Sequence, residues 1–98
     1  MGKVIFTISY DVIPEKRDAY LGLVQEMKAH LAQMNGKNYS VFELKGKKNS
    51  FSEIFICNSM EEYDQLEDQD EQMSDYITRL ESFLGDSKMK YTTLIEIE

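Results

Sequence analysis

The apolar residues of this chain first change period near its start, and that change constrains what can follow. From Lys3 to Val12 they alternate. Val4, Phe6, Ile8, Tyr10 and Val12 take one face, and Lys3, Ile5, Thr7, Ser9 and Asp11 the other. A period of two built from branched and aromatic residues is a strand with one buried face. Pro14 then stops the strand and opens a helix, where its missing N–H is no loss. Beyond it, Tyr20, Leu23/Val24, Met27, Leu31 and Met34 recur every three or four residues. That spacing predicts a helix over about residues 14–35, closed by Asn35-Gly36.

The remaining elements follow from the same reasoning. Residues 38–46 and 51–58 are apolar-rich runs around a polar turn, Gly46-Lys47-Lys48-Asn49-Ser50, which is a hairpin signal. Ser59 and Glu62 have the spacing of a capping box. Met60, Tyr63 and Leu66 mark a short helix. Met73, Tyr76/Ile77, Leu80 and Phe83/Leu84 mark a longer one that ends at Gly85-Asp86, with Gln69-Asp70 as a break or kink between the two. Residues 88–97 return to strand, with Tyr91, Thr93, Ile95 and Ile97 on one face.

The order is strand, helix, strand, strand, helix pair, strand. It predicts one α+β domain over 1–98 with a ferredoxin-like βαββαβ fold: a four-stranded antiparallel sheet with helices on one face. At 98 residues there is room for one core and no second lobe. Strands two to four offer apolar groups on both sides: Phe42 and Leu44 against Tyr39 and Val41, Ile54 and Ile56 against Phe51, Phe55 and Cys57, Leu94 against Ile95 and Ile97. The chain's own helices cover only one side. A second copy of the chain is the expected cover for the other, giving a homodimer.

The net charge is −7, with 8 Lys/Arg against 5 Asp/Glu in residues 1–49 and 3 against 13 in residues 50–98. Binding to a phosphate backbone needs a basic face, so no nucleic-acid partner is expected. The run Glu61, Glu62, Asp64, Glu67, Asp68, Asp70, Glu71 reads as a solvated helix surface. Read as a calcium loop from Asp68 it fails, because Met73 stands at the sixth position, where glycine is required. No apolar run approaches the ~20 residues of a membrane span, and Met1 to Phe6 show no secretory pattern. The single cysteine, Cys57, fits a reducing compartment, and the expected location is cytoplasmic.

Nearly the whole chain resembles the dimeric α+β-barrel superfamily, and within it the antibiotic-biosynthesis-monooxygenase-like domains. The matching stretches are the alternating first strand with Val12-Ile13-Pro14-Glu15-Lys16 and the amphipathic helix after it, then Gly36-Lys37-Asn38-Tyr39-Ser40-Val41-Phe42-Glu43, then Ser59-Met60-Glu61-Glu62-Tyr63. The resemblance implies the fold, the dimer and, as an activity, cofactor-independent oxygenation. Such domains often carry a Trp at the end of the third strand and a His in the following helix. Here Cys57 and Leu66 take those places, so those roles do not carry over and haem binding is not expected.

The candidate chemistry is sparse. His30, the only histidine, sits at the edge of the first helix's apolar stripe, where a proton shuttle could use it. One His and one Cys do not assemble a three-ligand zinc site, and no metal is expected. Cys57 lies between Ile56 and Asn58, without a base to activate it, and reads as small filler. No nucleophile elbow, H-E-x-x-H, P-loop or dinucleotide glycine pattern occurs, so no catalytic residue is assigned and no cofactor is expected. Tyr10, Tyr63 and Tyr76 fall on stripes facing the space between helices and sheet. With His30 they are the candidate pocket residues for a planar or phenolic ligand. The expected function is binding of a small apolar or aromatic molecule between sheet and helices. The alternatives are a cofactor-independent monooxygenase and a structural or protein-interaction module.

Overall fold

A computed structural model of the chain describes residues 2–35, 38–66 and 71–97. The elements run in the expected order: β1 (Val4–Asp11), a 3-10 turn (Pro14–Lys16), α1 (Arg17–Asn35), β2 (Asn38–Glu43), β3 (Ser50–Cys57), α2 (Met60–Leu66), α3 (Glu71–Glu81) and β4 (Lys90–Ile95). The strands form one antiparallel sheet in the order β2-β3-β1-β4. The helices lie on one of its faces, α1 against β2 and α3, and α2 against β1 and β3. The expected stop at Gly36 and the break at Gln69-Asp70 fall outside the described residues.

Local chemistry accounts for the boundaries. Pro14 opens a tight turn before the α-helix proper, with Lys16 N–H donating to the Ile13 carbonyl at 2.8 Å. The first helix therefore starts at Arg17, three residues later than the proline alone suggests. Leu44 to Asn49 form the hairpin loop, with Gly46 at φ 91° and Asn49 at φ 68° supplying the left-handed backbone. At α2 the Ser59 hydroxyl accepts from the Glu62 N–H at 3.3 Å, as a capping box requires. Glu62 itself reaches back to the N–H of Asn58 at 3.1 Å, one residue before the cap. The last strand, Lys90–Ile95, is shorter than the expected 88–97, although Glu96 N–H still donates to the Lys3 carbonyl at 2.9 Å beyond its end.

The register decides which side each strand buries. Phe6 pairs with Phe55, and Phe55 with Tyr39. This puts Val4, Phe6, Ile8, Tyr10, Tyr39, Val41, Phe51, Glu53, Phe55 and Cys57 on the helix side. There Tyr20, Leu23, Val24, Met27 and Leu31 of α1 meet them with Tyr76 and Leu80 of α3 and Leu84 beyond it. Full burial of one Leu such as Leu23 stabilises by about 1.5–3 kcal/mol. The other side carries Ile5, paired with both Ile56 and Leu94, together with Ile54 and Phe42. On that side Phe42, Leu94 and Ile56 are 55%, 53% and 37% exposed. Edge strand β4 lies beyond the cover of the helices: Tyr91 and Ile95 face the helix side yet remain exposed. Among the described residues, no helix is long and apolar enough to cross a membrane.

Candidate functional site

The space between helices and sheet contains two features, a buried polar cluster and an open aromatic shelf. The cluster centres on Glu53, which the pleat of β3 points into the core between Phe51 and Phe55; it is 2% exposed. Isolated, a carboxylate there would be severely destabilised. It is instead served by phenols. Tyr10 of β1 donates to Oε2 at 2.7 Å and Tyr39 of β2 donates to Oε1 at 2.8 Å. Tyr20 of α1 lies 2.7 Å from the Tyr10 hydroxyl. Four elements thus meet at one carboxyl group.

Electrostatics follow from burial. Desolvation pushes the Glu53 carboxyl above the ordinary glutamate range, opposed in part by the hydrogen bonds from Tyr10 and Tyr39. Desolvation, with the nearby Glu53 charge, pushes Tyr10, Tyr20 and Tyr39 well above the usual tyrosine value. The phenols therefore stay protonated and remain donors. Arg17, near the cluster, is committed elsewhere. Its guanidinium lies 5.5 Å from the Phe51 ring centre and bonds Glu43 at 2.6 and 3.0 Å and Asn49 at 2.9 Å. The hydrogen bonds from Arg17 and the Asn49 N–H hold the Glu43 carboxyl down at about 2.

The shelf lies on the β4 side. Tyr91 stacks on Phe6, with ring centres 6.0 Å apart and planes 15° apart. Tyr63 of α2 meets Phe6 edge-on at 5.9 Å, and its hydroxyl lies 3.1 Å from Thr93 Oγ1. Beside Tyr91 an open-sided hollow of about 390 Å³ is lined by Leu84, Ser87, Lys88 and Met89. Of the three rings Tyr91 alone lines the hollow, its hydroxyl donating to the Met89 sulfur at 3.2 Å, and Glu81, Ser87 and Lys88 supply the other polar side chains of the lining.

The four residues expected at a pocket are distributed over three places. Tyr63 is at the shelf. Tyr10 is in the buried cluster. His30 and Tyr76 face each other across α1 and α3, with rings 5.7 Å apart and 70° inclined. Glu53, Tyr20 and Tyr39 were not expected as a site. Glu53 carried a signal: it is a carboxylate in period two with Phe51, Phe55 and Cys57. Cys57 closes β3 as a buried thiol outside any disulfide. Among the described residues, no group of His, Cys, Asp and Glu could hold a metal ion.

Neither protein-family models nor curated proteins match this sequence. Solved structures do. A conserved protein from Methanosarcina mazei Go1 superposes with a TM-score of 0.83 at 15% identity, over 96% of this chain and 92% of that one. SnoaB, a cofactor-independent oxygenase from Streptomyces nogalater, superposes with a TM-score of 0.75 at 15% identity, over 100% of this chain and 96% of its own. An antibiotic biosynthesis monooxygenase matches with a TM-score of 0.72 at 18% identity, over 100% and 98%. The fold is that of the antibiotic-biosynthesis-monooxygenase-like α+β domains. Identities this low speak for architecture and not for chemistry. The ferredoxin-like sheet expected from the sequence is thus the fold of this chain.

Proposed function

We propose that this antibiotic-biosynthesis-monooxygenase-like chain binds a planar aromatic or phenolic molecule on the helix side of β1 and β4, and does so as a homodimer. One observation carries the binding reading. Tyr91, Phe6 and Tyr63 form a ready-made aromatic wall, and Tyr91 stays 61% exposed beside the hollow. A large ring left in water next to a cavity is the feature a stacking ligand would bury. Support for the dimer comes from the other side of the sheet. The row Leu94, Ile5, Ile56 runs unbroken across three strands, with Ile54 and Phe42 nearby. A second sheet laid on that row would remove it from water.

One experiment tests both parts. The full chain at micromolar concentration is examined by light scattering, then by thermal shift against 1-naphthol and 1,4-dihydroxynaphthalene. We expect about twice the 11.5 kDa chain mass and a saturable rise in melting temperature that is reduced in Tyr91→Ala. A monomer refutes the dimer, and an unchanged melting temperature with both probes refutes the ligand class.

The rival reading is cofactor-independent oxygenation, favoured by the fold shared with SnoaB. Oxygen-dependent conversion of 1,4-dihydroxynaphthalene, lost in Tyr63→Phe or Tyr91→Phe, would establish it over binding alone.

A further inference from the structure

The buried cluster is closed on itself. Tyr10 gives its proton to Glu53, so Tyr20 donates to Tyr10, and Tyr39 serves the other carboxylate oxygen. Polar groups with unused capacity lie instead around the hollow between α3 and β4. At about 390 Å³ it falls at the small end of the ~300–1,000 Å³ usual for small-molecule sites, room for one compact molecule. Its lining includes a carboxylate, Glu81, and an ammonium, Lys88. Both side chains are exposed, and neither makes an ion pair or a side-chain hydrogen bond among the described residues.

Glu81 stands where stability alone would not put it. It closes α3, and the C-terminal end of a helix carries partial negative charge, which favours a cation. Arg79, the basic residue of that last turn, is bound to Glu26 of α1 at 2.9 and 3.1 Å. The Glu81 carboxylate and the helix end therefore act with one sign, as a seat for an ammonium group. On the β4 side of the same hollow Lys88 offers the opposite charge. Ser87 beside it accepts from the Asp11 N–H at 3.0 Å, which leaves its hydroxyl proton to donate. Leu84, Met89 and the Tyr91 ring supply the apolar part, with Phe6 stacked on Tyr91.

These groups select by charge. An anionic ring would gain Lys88 but bring its charge to Glu81, in a chain of net charge −7. A cationic ring would gain Glu81 and oppose Lys88. A molecule with an ammonium and a carboxylate beside a flat ring meets every feature and brings no net charge. Resting on the reading of this region as an aromatic-ligand site, we propose that the hollow binds a free aromatic amino acid, its ring on Tyr91, its ammonium at Glu81 and its carboxylate at Lys88 and Ser87. Free is part of the claim, because within a peptide no residue carries both charged groups on one carbon.

The chain has no Trp, so the fluorescence anisotropy of an indole probe reports the probe alone. The full chain near pH 7 is titrated against L-tryptophan, against tryptamine, which keeps only the ammonium, and against N-acetyl-L-tryptophan, which keeps only the carboxylate. An exposed charge contact contributes about two- to fivefold in affinity, and we expect L-tryptophan to bind tighter than either analogue by about that factor. Lys88→Gln should weaken L-tryptophan and N-acetyl-L-tryptophan and leave tryptamine no weaker. Glu81→Gln should weaken L-tryptophan and tryptamine and leave N-acetyl-L-tryptophan no weaker. Both side chains are exposed, so neither substitution disturbs the core. Equal affinity for the three indoles, or a variant that weakens all three alike, overturns the proposal. If 1-naphthol then still binds and is lost in Tyr91→Ala, the aromatic-ligand reading stands without it. Binding of none of the four probes overturns both.

Discussion

Removing one hydroxyl at a time from the cluster should produce losses in a fixed order, because the three phenols hold different positions in it. Tyr20→Phe removes a terminal neutral hydrogen bond and leaves both donors on Glu53. Such a bond contributes about 0.5–1.5 kcal/mol. Tyr39→Phe removes a bond to a carboxylate, worth about 1.5–3 kcal/mol. Tyr10→Phe removes a bond of that kind and also orphans the buried Tyr20 donor, a further cost of about 1–3 kcal/mol. The rings remain, so packing changes little. The expected losses are therefore about 0.5–1.5, 1.5–3 and 2.5–6 kcal/mol for Tyr20, Tyr39 and Tyr10. Urea unfolding at pH 8, where Glu53 is most ionised, measures them as midpoint shifts at constant slope. For a domain of this size each kcal/mol moves the melting temperature by about 4–8 °C, so heat unfolding covers Tyr10→Phe if it is too unstable for urea. Equal losses in all three variants, or a Tyr20→Phe loss as large as that of Tyr10→Phe, would refute the assigned hydrogen-bond directions.

The pH profile of stability should have two limbs of opposite sign. Glu43 at about 2, with Asp11 and Glu26 also lowered by their partners, contributes stability that is lost as pH falls below about 4.5. Glu53 is raised, so the native state binds its proton more tightly than the unfolded chain, and stability falls as pH rises from 4.5 through the folded value. Its slope is at most about 1.4 kcal/mol per pH unit. Urea unfolding from pH 3 to 8 should show a maximum near pH 5, with the upper limb flattened in Glu53→Gln; an unchanged upper limb would assign it to another group. Gly85→Ala should destabilise by about 1–2 kcal/mol, because Gly85 sits at φ 59° and a Cβ would lie 3.1 Å from two Ile13 side-chain atoms. A variant as stable as wild type in thermal unfolding would show that this turn relaxes freely.

The fold was legible because its signals are local. The alternation of β1, the stripe from Tyr20 to Leu31 and the Gly46 turn each lie within a few residues of chain. Which side β2 and β3 bury was not legible, since Val41 and Phe42, or Phe55 and Ile56, are both apolar neighbours in sequence. Only the pairing of Phe55 with Phe6 and Tyr39 settles it. The cluster was hidden for a related reason. Glu53 meets partners 14 and 43 residues away, and no spacing rule links them. Its one trace was a charge in step with Phe51 and Phe55. The exposure of Tyr91 was hidden as well, because alternation in β4 shows which residues share a side and not how far the helices extend over it.

The binding claim is tested most directly by observing the tyrosine rings themselves. Full-length chain carrying ring-labelled tyrosine is titrated with 1-naphthol and followed by NMR, with the signals of Tyr63 and Tyr91 assigned from their Phe variants. The account predicts that those two ring signals move together and saturate, that the buried Tyr20 signal stays still, and that Tyr91→Ala weakens binding at least tenfold, about 1.4 kcal/mol. Shifts that leave Tyr63 and Tyr91 unmoved, or affinity unchanged in Tyr91→Ala, would contradict it.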